Sequence, residues 1–443
     1  MSYKNRSAED YFIAGRNINW ITAMFSIVAT ETSVLTFISI PSLAYRGDWY
    51  FLQIAFGYII GRVLVSIFLL PKYFQEGIQS IYEILGKRFG TAIQKVASGL
   101  FSVTRILADG IRFLAVAIIV QVVTSWSIVV SLSLIGLITI IYSTLGGIRT
   151  IIRIDAVQFL IYLSGGLTAI IYILVTLDIT FYEILGNLSS TGKLTLFHFK
   201  NNLIFDPRSF IGALIGGALL SFASHGVDYM MVQRVLSTAN LKSARKALIG
   251  SGLFVFVQFS IFLLIGSLIY VYNNGVILDT DREFPLFIAN SLPIGVKGLL
   301  LAGLLSSAMS TLSSSINSLA SSTVSDWIRK KVTLRNARFI SLLWAMALLI
   351  FALMFNKSDE AIVIIALQIA SFTYGGLLGL FILVKFNIRF YPVSLIAGLL
   401  VGIIAVVILK LNGIAWIWFI GISVIVNLIT ALSINFLVTL VKK

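Results

Sequence analysis

Apolar residues run in blocks of about 20 along nearly the whole chain, and short polar stretches carrying most of the charge separate them. A helical block of that length, rising 1.5 Å per residue, crosses the ~30 Å hydrocarbon core of a bilayer. The pattern predicts twelve spans, near 20–45, 49–72, 95–123, 127–145, 154–178, 209–232, 247–272, 298–325, 337–355, 360–384, 391–410 and 414–440. The two-residue alternation of a membrane β-barrel is absent. Span 1 has a polar interruption at its middle, Ala29-Thr30-Glu31-Thr32-Ser33. Span 6 has another, Ser224-His225-Gly226-Val227-Asp228, five spans later. Five is odd, so two five-span halves would lie in opposite orientation. Paired interruptions of this kind mark the discontinuous helices of an inverted-repeat transporter, whose unwound carbonyls are free to bind a cation at mid-membrane depth.

The expected organisation is a polar cytoplasmic segment 1–19, a first repeat 20–178, an extracytoplasmic loop 179–208, a second repeat 209–384 and two additional C-terminal helices in 385–443. With 58% hydrophobic and 12% charged residues and a mean hydropathy of +0.99, the chain is excluded from the ordinary soluble proteins. Its net charge of +15 could point to nucleic acid, but the positions of the charges account for it otherwise. The inner segments hold 22 of the 33 Lys and Arg, against eight in the outer segments, which orients both termini inward. There is no cysteine, hence no disulfide or thiolate chemistry, and the polar 1–19 segment is no cleavable signal peptide.

The eighth span is unusual. Twelve of the twenty residues from Ser306 to Ser325 are Ser or Thr, and Ser307, Ser310, Thr311, Ser314, Ser318 and Ser321 recur at helical spacing. Hydroxyls at membrane depth must face protein, water or an ion. They either let helices pack closely or coordinate a hard cation such as Na+. Charges inside spans also need a reason. Asp155 opens span 5 and is either an interfacial residue or a cation ligand facing the hydroxyls. Glu31 binds a cation, pairs with an Arg or carries a proton. Arg105, Asp109 and Arg112 share one face of span 3, as an internal ion pair or with an Arg meeting a solute carboxylate; Arg62 in span 2 either snorkels or pairs structurally. His225 and Asp228 with a serine could be drawn as a hydrolase triad, but no Gly-x-Ser-x-Gly elbow is present, and no phosphate-binding loop couples the chain to ATP.

The run Ser7-Ala8-Glu9-Asp10-Tyr11-Phe12-Ile13-Ala14-Gly15-Arg16 resembles the S-x-x-D-Y-F-x-A-G-R segment of sodium:solute symporters, the family of the proline, sialic-acid and sodium–glucose carriers. Thr30-Glu31-Thr32-Ser33 with Thr36-Phe37, Gly146-Gly147 leading to Asp155 and Gln158, Met231-Val232-Gln233-Arg234, and Ala308-Met309-Ser310-Thr311 through Ser318 agree with it. The resemblance implies an all-α five-plus-five inverted repeat with helices 1 and 6 broken. It implies a first Na+ held by carbonyls of Ala29, Thr32 and Ser307 and hydroxyls of Ser310 and Thr311. A second Na+, in members that have one, would take Ser310, Ser313, Ser314 and Asp155. The solute would lie beside the breaks: Ser33 and Thr36 match solute-contacting positions, Gln53 is near one, and Glu31, Arg112, His225 and Asp228 are further candidates. Most members carry one more helix before the S-x-x-D-Y-F segment, and this chain is expected to do without it. The Arg that grips the carboxylate in sialic-acid carriers does not align with Arg105 or Arg112.

The expectation is therefore a sodium-coupled secondary symporter of the cell membrane. It would import a small polar solute (sugar, amino acid or carboxylate) with Na+ as coupling ion and no cofactor, no enzymatic activity and no required oligomer. A proton-coupled carrier, with Glu31, Asp109 and Asp228 as acids, and a transporter-like sensor or channel are the alternatives.

Overall fold

The structure, a computed structural model, describes residues 16–32, 34–76, 78, 80–177, 179–330, 332–354 and 361–442, apart from the side chains of 123, 142–147, 149–150 and 306. Ser33 and most of the S-x-x-D-Y-F segment lie outside the described residues. The elements are helical throughout, with one isolated bridge between Ile18 and Thr238. In chain order they are α1 (Trp20–Glu31), α2 (Val34–Arg46), α3 (Phe51–Phe68), α4 (Leu70–Gln75), α5 (Tyr82–Phe89), α6 (Thr91–Thr124), α7 (Ile128–Thr176), α8 (Phe181–Ser190) and α9 (Phe210–Val227). The second part adds α10 (Tyr229–Leu236), α11 (Leu241–Tyr272), α12 (Glu283–Ser291), α13 (Ile294–Ser322), α14 (Leu334–Leu353), α15 (Ile362–Leu383), α16 (Pro392–Leu411) and α17 (Phe419–Val441).

Among the described residues nine helices are long and apolar enough to cross a membrane, and ten if the bent pair α1–α2 is one span. The third and fourth expected spans fall on α6, which carries the charges Arg105, Asp109 and Arg112, and on the short apolar stretch Ile128–Ile141. The expected inner segment 146–153 does not interrupt helical bonding. Instead α7 runs unbroken for 49 residues, a contour of about 74 Å at 1.5 Å per residue.

Both expected breaks are present. Asn19 starts α1 by accepting the Ile21 N–H at 2.9 Å. The helix ends at Thr32, whose φ −90°, ψ 71° leaves the helical region, and α2 departs at 60°. At the second break Asp228 is extended, φ −90°, ψ 117°. Its side chain accepts the Met230 N–H at 2.9 Å, so the residue that ends α9 also caps α10.

Close backbone approach fixes α3 against α9. A Cβ on Gly57 would sit 2.4 Å from the Leu214 carbonyl oxygen, one on Gly61 2.4 Å from that of Ala218, and one on Gly217 2.3 Å from that of Ile54. Only glycine admits such contact, the small-residue packing that replaces the hydrophobic effect between membrane helices. The Ser/Thr-rich α13 is central. Ser310, Thr311, Ser313, Ser314, Ser315 and Ser318 are buried, but so are Leu312, Ile316 and Leu319 between them. The hydroxyls therefore form one part of a helix enclosed on all sides rather than a lone protected stripe.

The loop before α12 is pinned to two helices. Asp281 accepts the Ile362 N–H of α15 at 2.7 Å, its own N–H donates to Ser42 of α2 at 3.2 Å, and Arg46 pairs with Glu283 at 2.6 Å. Burial lifts the Asp281 carboxyl to about 6.

Candidate functional site: two helix breaks around a charged cavity

α1 packs on α13, so the residues expected to hold the first Na+ lie on neighbouring elements. Ala29, Thr32, Ser307, Ser310 and Thr311 are all buried. The Thr32 hydroxyl and its N–H (2.8 Å) both turn back to the Val28 carbonyl, closing the last turn of α1. Thr311 donates to the Ser307 carbonyl at 3.3 Å. Carbonyls at an unwound helix end have lost their i+4 partners, and neutral hydroxyls and carbonyls form an oxygen shell of the kind a hard monovalent cation takes.

The expected second Na+ group reads differently in three dimensions. Asp155 is fully buried, and one of its oxygens accepts from Ser310 and the other from Ser26 at 2.7 Å. It already has a cation: Arg234 Nη2 lies 3.3 Å from Asp155 Oδ2. The same guanidinium donates to Ser314, to Ser26 at 3.0 Å and to the Met230 carbonyl at 2.8 Å. Ser313 and Ser314 donate to the Ser310 carbonyl at 3.0 and 2.7 Å. A carboxylate and guanidinium both 0% exposed and mutually satisfied leave Asp155 no unmet charge. A Na+ there would have to displace Arg234. In the sequence Arg234 appears only as part of the Met231-Val232-Gln233-Arg234 motif and among the basic residues of the 233–246 segment, so nothing there marked it as a buried partner of Asp155.

Beside the breaks lies a cavity of about 80 Å³, lined among others by Glu31, Thr36, Tyr58, Arg105, Arg112 and Tyr374. Leu35, Ser224 and His225 also face it. Glu31 is held by Arg62, whose other nitrogen donates to Ser251 at 2.9 Å, and His225 Nε2 stands 3.5 Å away. Of the three sequence alternatives for Glu31, the structure shows pairing with an Arg. Arg105 bridges Asp228 (3.0 Å) and Asp109 (3.6 Å) and donates to the Tyr374 hydroxyl at 2.8 Å. Tyr374 donates to Asp228 at 2.6 Å, and Ser315 donates to Asp109. Arg112 Nη1 meets Asp109 Oδ1 at 2.5 Å. Arg112 Nε is buried without an acceptor. This leaves the side-on edge of its fork, the edge that suits a two-oxygen anion, without a partner among the described residues.

Two candidates are corrected. Gln53 does not line the cavity: its Nε2 donates to the Arg208 carbonyl at 2.9 Å and its Oε1 accepts the His198 N–H at 3.2 Å, tying down the loop before α9. Asp228 is spent on the α10 cap, Arg105 and Tyr374. That also dissolves the drawn triad, since His225 Nδ1 meets Ser224 at 2.9 Å and has no tie to Asp228. Tyr374 and Ser26, both essential to these networks, carried no charge or spacing signal in the sequence.

The sequence profile of the sodium:solute symporter family matches residues 11–402. The chain is 30% identical over 423 residues to the sodium/sialic acid symporter SiaT of Proteus mirabilis, covering 91% of this chain and 84% of that one. It is 29% identical over 421 residues to the human sodium/iodide cotransporter, covering 90% of this chain but only 64% of that protein's length. A solved structure of a Na+-coupled sialic acid symporter, substrate-bound and outward-open, superposes with a TM-score of 0.83 at 27% identity, over 97% of this chain and 92% of that one. These proteins are transporters rather than enzymes, and their inverted-repeat architecture accounts for two broken helices set five spans apart. With profile, relatives and fold in agreement over almost its full length, the chain belongs to the sodium:solute symporter family.

Proposed function

We propose that this chain imports a small organic anion, a carboxylate-bearing solute, together with one Na+ by alternating access. The observation that carries the reading is the Arg112 guanidinium at the cavity wall, paired with Asp109 through Nη1 while its buried Nε has no acceptor among the described residues. The charges at and around the cavity balance without a solute. Arg62, Arg105 and Arg112 offset Glu31, Asp109 and Asp228. An arriving monoanion adds one buried negative charge, which is costly in a dry site. One Na+ among Ala29, Thr32, Ser307, Ser310 and Thr311 cancels it. Ion and solute then favour each other's binding, and linkage makes the coupling reciprocal. Arg234 fills the neighbourhood of Asp155 with a fixed positive charge, which favours one Na+ over two. Thr36, near the start of α2, lines the cavity, where the solute's polar groups would reach. That relatives carry iodide and sialic acid is consistent with an anionic cargo.

In this reading residues 20–178 and 209–384 rock against each other about the site, both termini face the cytoplasm of a cell-membrane protein, and no second subunit is needed. Uptake into proteoliposomes tests it. A panel of labelled monocarboxylates, sugars and amino acids is offered with and without an inward Na+ gradient at fixed pH. Carboxylate uptake that requires Na+ supports the reading. Uptake driven equally by a proton gradient in the absence of Na+ assigns the proton-coupled alternative.

A further inference from the structure

An open groove separates the start of α1 from the start of α11, lined by Trp20, Leu241, Lys242, Arg245, Lys246 and Ile249. Asn240 caps α11 by accepting the Ser243 N–H at 2.9 Å. Positions 242, 245 and 246 then project from one face at spacings of three and four. All three cations are exposed, and none forms an ion pair among the described residues. Arg245 Nε donates to the Ser66 carbonyl at 3.0 Å, which orients its guanidinium, and Lys246 lies 5.6 Å over the Trp20 ring. Three like charges within two turns repel one another, so the helix face is incomplete without an anion. Continuing by fours from Arg245, Ile249 is half-buried, while Leu253 and Val257 are 55% and 54% exposed. Ile21 beside Trp20 is also exposed. A cationic pocket opening onto an apolar, membrane-facing stripe matches an amphiphile with an anionic head.

We propose that this groove binds an acidic phospholipid of the inner leaflet, its phosphate held by Lys242, Arg245 and Lys246 and an acyl chain lying along Ile249, Leu253 and Val257. The segment 233–246 is one of the Lys/Arg-rich ones that the charge bias places inside, where anionic headgroups are recognised by such pockets. Trp20 adds the interfacial aromatic ring usual at that depth.

Native mass spectrometry of the full chain, released from micelles doped with equal phosphatidylglycerol and phosphatidylcholine, tests the site. The wild type should retain one phosphatidylglycerol in preference to phosphatidylcholine. The Lys242→Gln/Lys246→Gln variant should lose that preference by about 30-fold, two cations at about 1 kcal/mol each. Both side chains are exposed, so folding is checked by a monodisperse elution profile. The Lys385→Gln/Lys442→Gln variant removes the same charge elsewhere and should retain the lipid. The proposal is overturned by equal retention of both lipids, by loss in the control variant, which would reveal a diffuse charge effect, or by inorganic phosphate competing as well as the lipid, which would make the ligand a free anion.

Discussion

Replacing Arg112 separates solute recognition from the scaffold. Its guanidinium lines the cavity, makes one ion pair, to Asp109, and has a buried Nε without an acceptor among the described residues. Asp109 keeps Arg105 at 3.6 Å and the Ser315 hydroxyl when Arg112 is gone, so the carboxylate is not stranded. The fold should therefore survive Arg112→Gln. The loss falls on the solute: a hydrogen bond to a charged group contributes about 1.5–3 kcal/mol, which raises KM for a carboxylate solute by roughly 10- to 150-fold. Arg112→Lys retains the charge but not the two-pronged edge, and should lie between wild type and Gln. The assay is initial-rate uptake at saturating Na+, with each carboxylate solute paired with its amide. For the amide, which carries no anion, KM should change by less than about threefold, under 1 kcal/mol. An equal loss for acid and amide, or an unchanged KM for the acid, would refute the role given to Arg112, even if uptake itself remained Na+-dependent.

Thr311→Ala removes a hydroxyl from the proposed ion shell without touching Asp155, and should raise the Na+ concentration for half-maximal uptake about tenfold, one lost ligand at about 1.4 kcal/mol; an unchanged value removes Thr311 from the shell. Arg234→Gln leaves Asp155 buried without its cation, a loss of about 3–5 kcal/mol. The melting temperature in Na+-free buffer should fall sharply and be partly restored by Na+; a fall that Na+ does not affect shows that the vacated place binds no ion. Outside the spans, burial holds the Asp281 carboxyl at about 6 against 3.8 for the ordinary group. The folded protein binds that proton more tightly than the unfolded chain, so this stability is full below pH 3.8 and lost as pH rises through 6. The difference is about 3 kcal/mol. Thermal midpoints read from pH 4 to 7 should fall, and Asp281→Asn, which can still accept from Ile362, should flatten that slope; an unaltered slope assigns it to other groups.

The helix breaks were legible because a polar cluster inside an apolar block has no other economical explanation, and Thr32 and Asp228 are where the helices end. The ion-shell candidates were legible through spacing and resemblance. What the sequence could not show was which opposite charges meet. Arg62 and Glu31 are 31 positions apart, Arg234 and Asp155 79, and no periodicity links residues across different helices. Gln53 was misread because proximity to a solute position along the helix says nothing of the loop that drops onto its side chain. The polar gap at 146–153 separates two apolar blocks in the sequence, and hydropathy alone does not tell that helical bonding continues across it.

The contact of Gly57 and Gly61 with the α9 backbone limits how the molecule can work. Side-chain interfaces slide by exchanging rotamers, whereas main chain lying on main chain has no such slack. A shift of α9 would carry α3 with it as one lever. Arg62, riding on that lever, then pulls at Glu31 beside the first hinge. The two unwound turns are thus mechanically yoked, and opening one without disturbing the other is forbidden by the absence of three methyl groups.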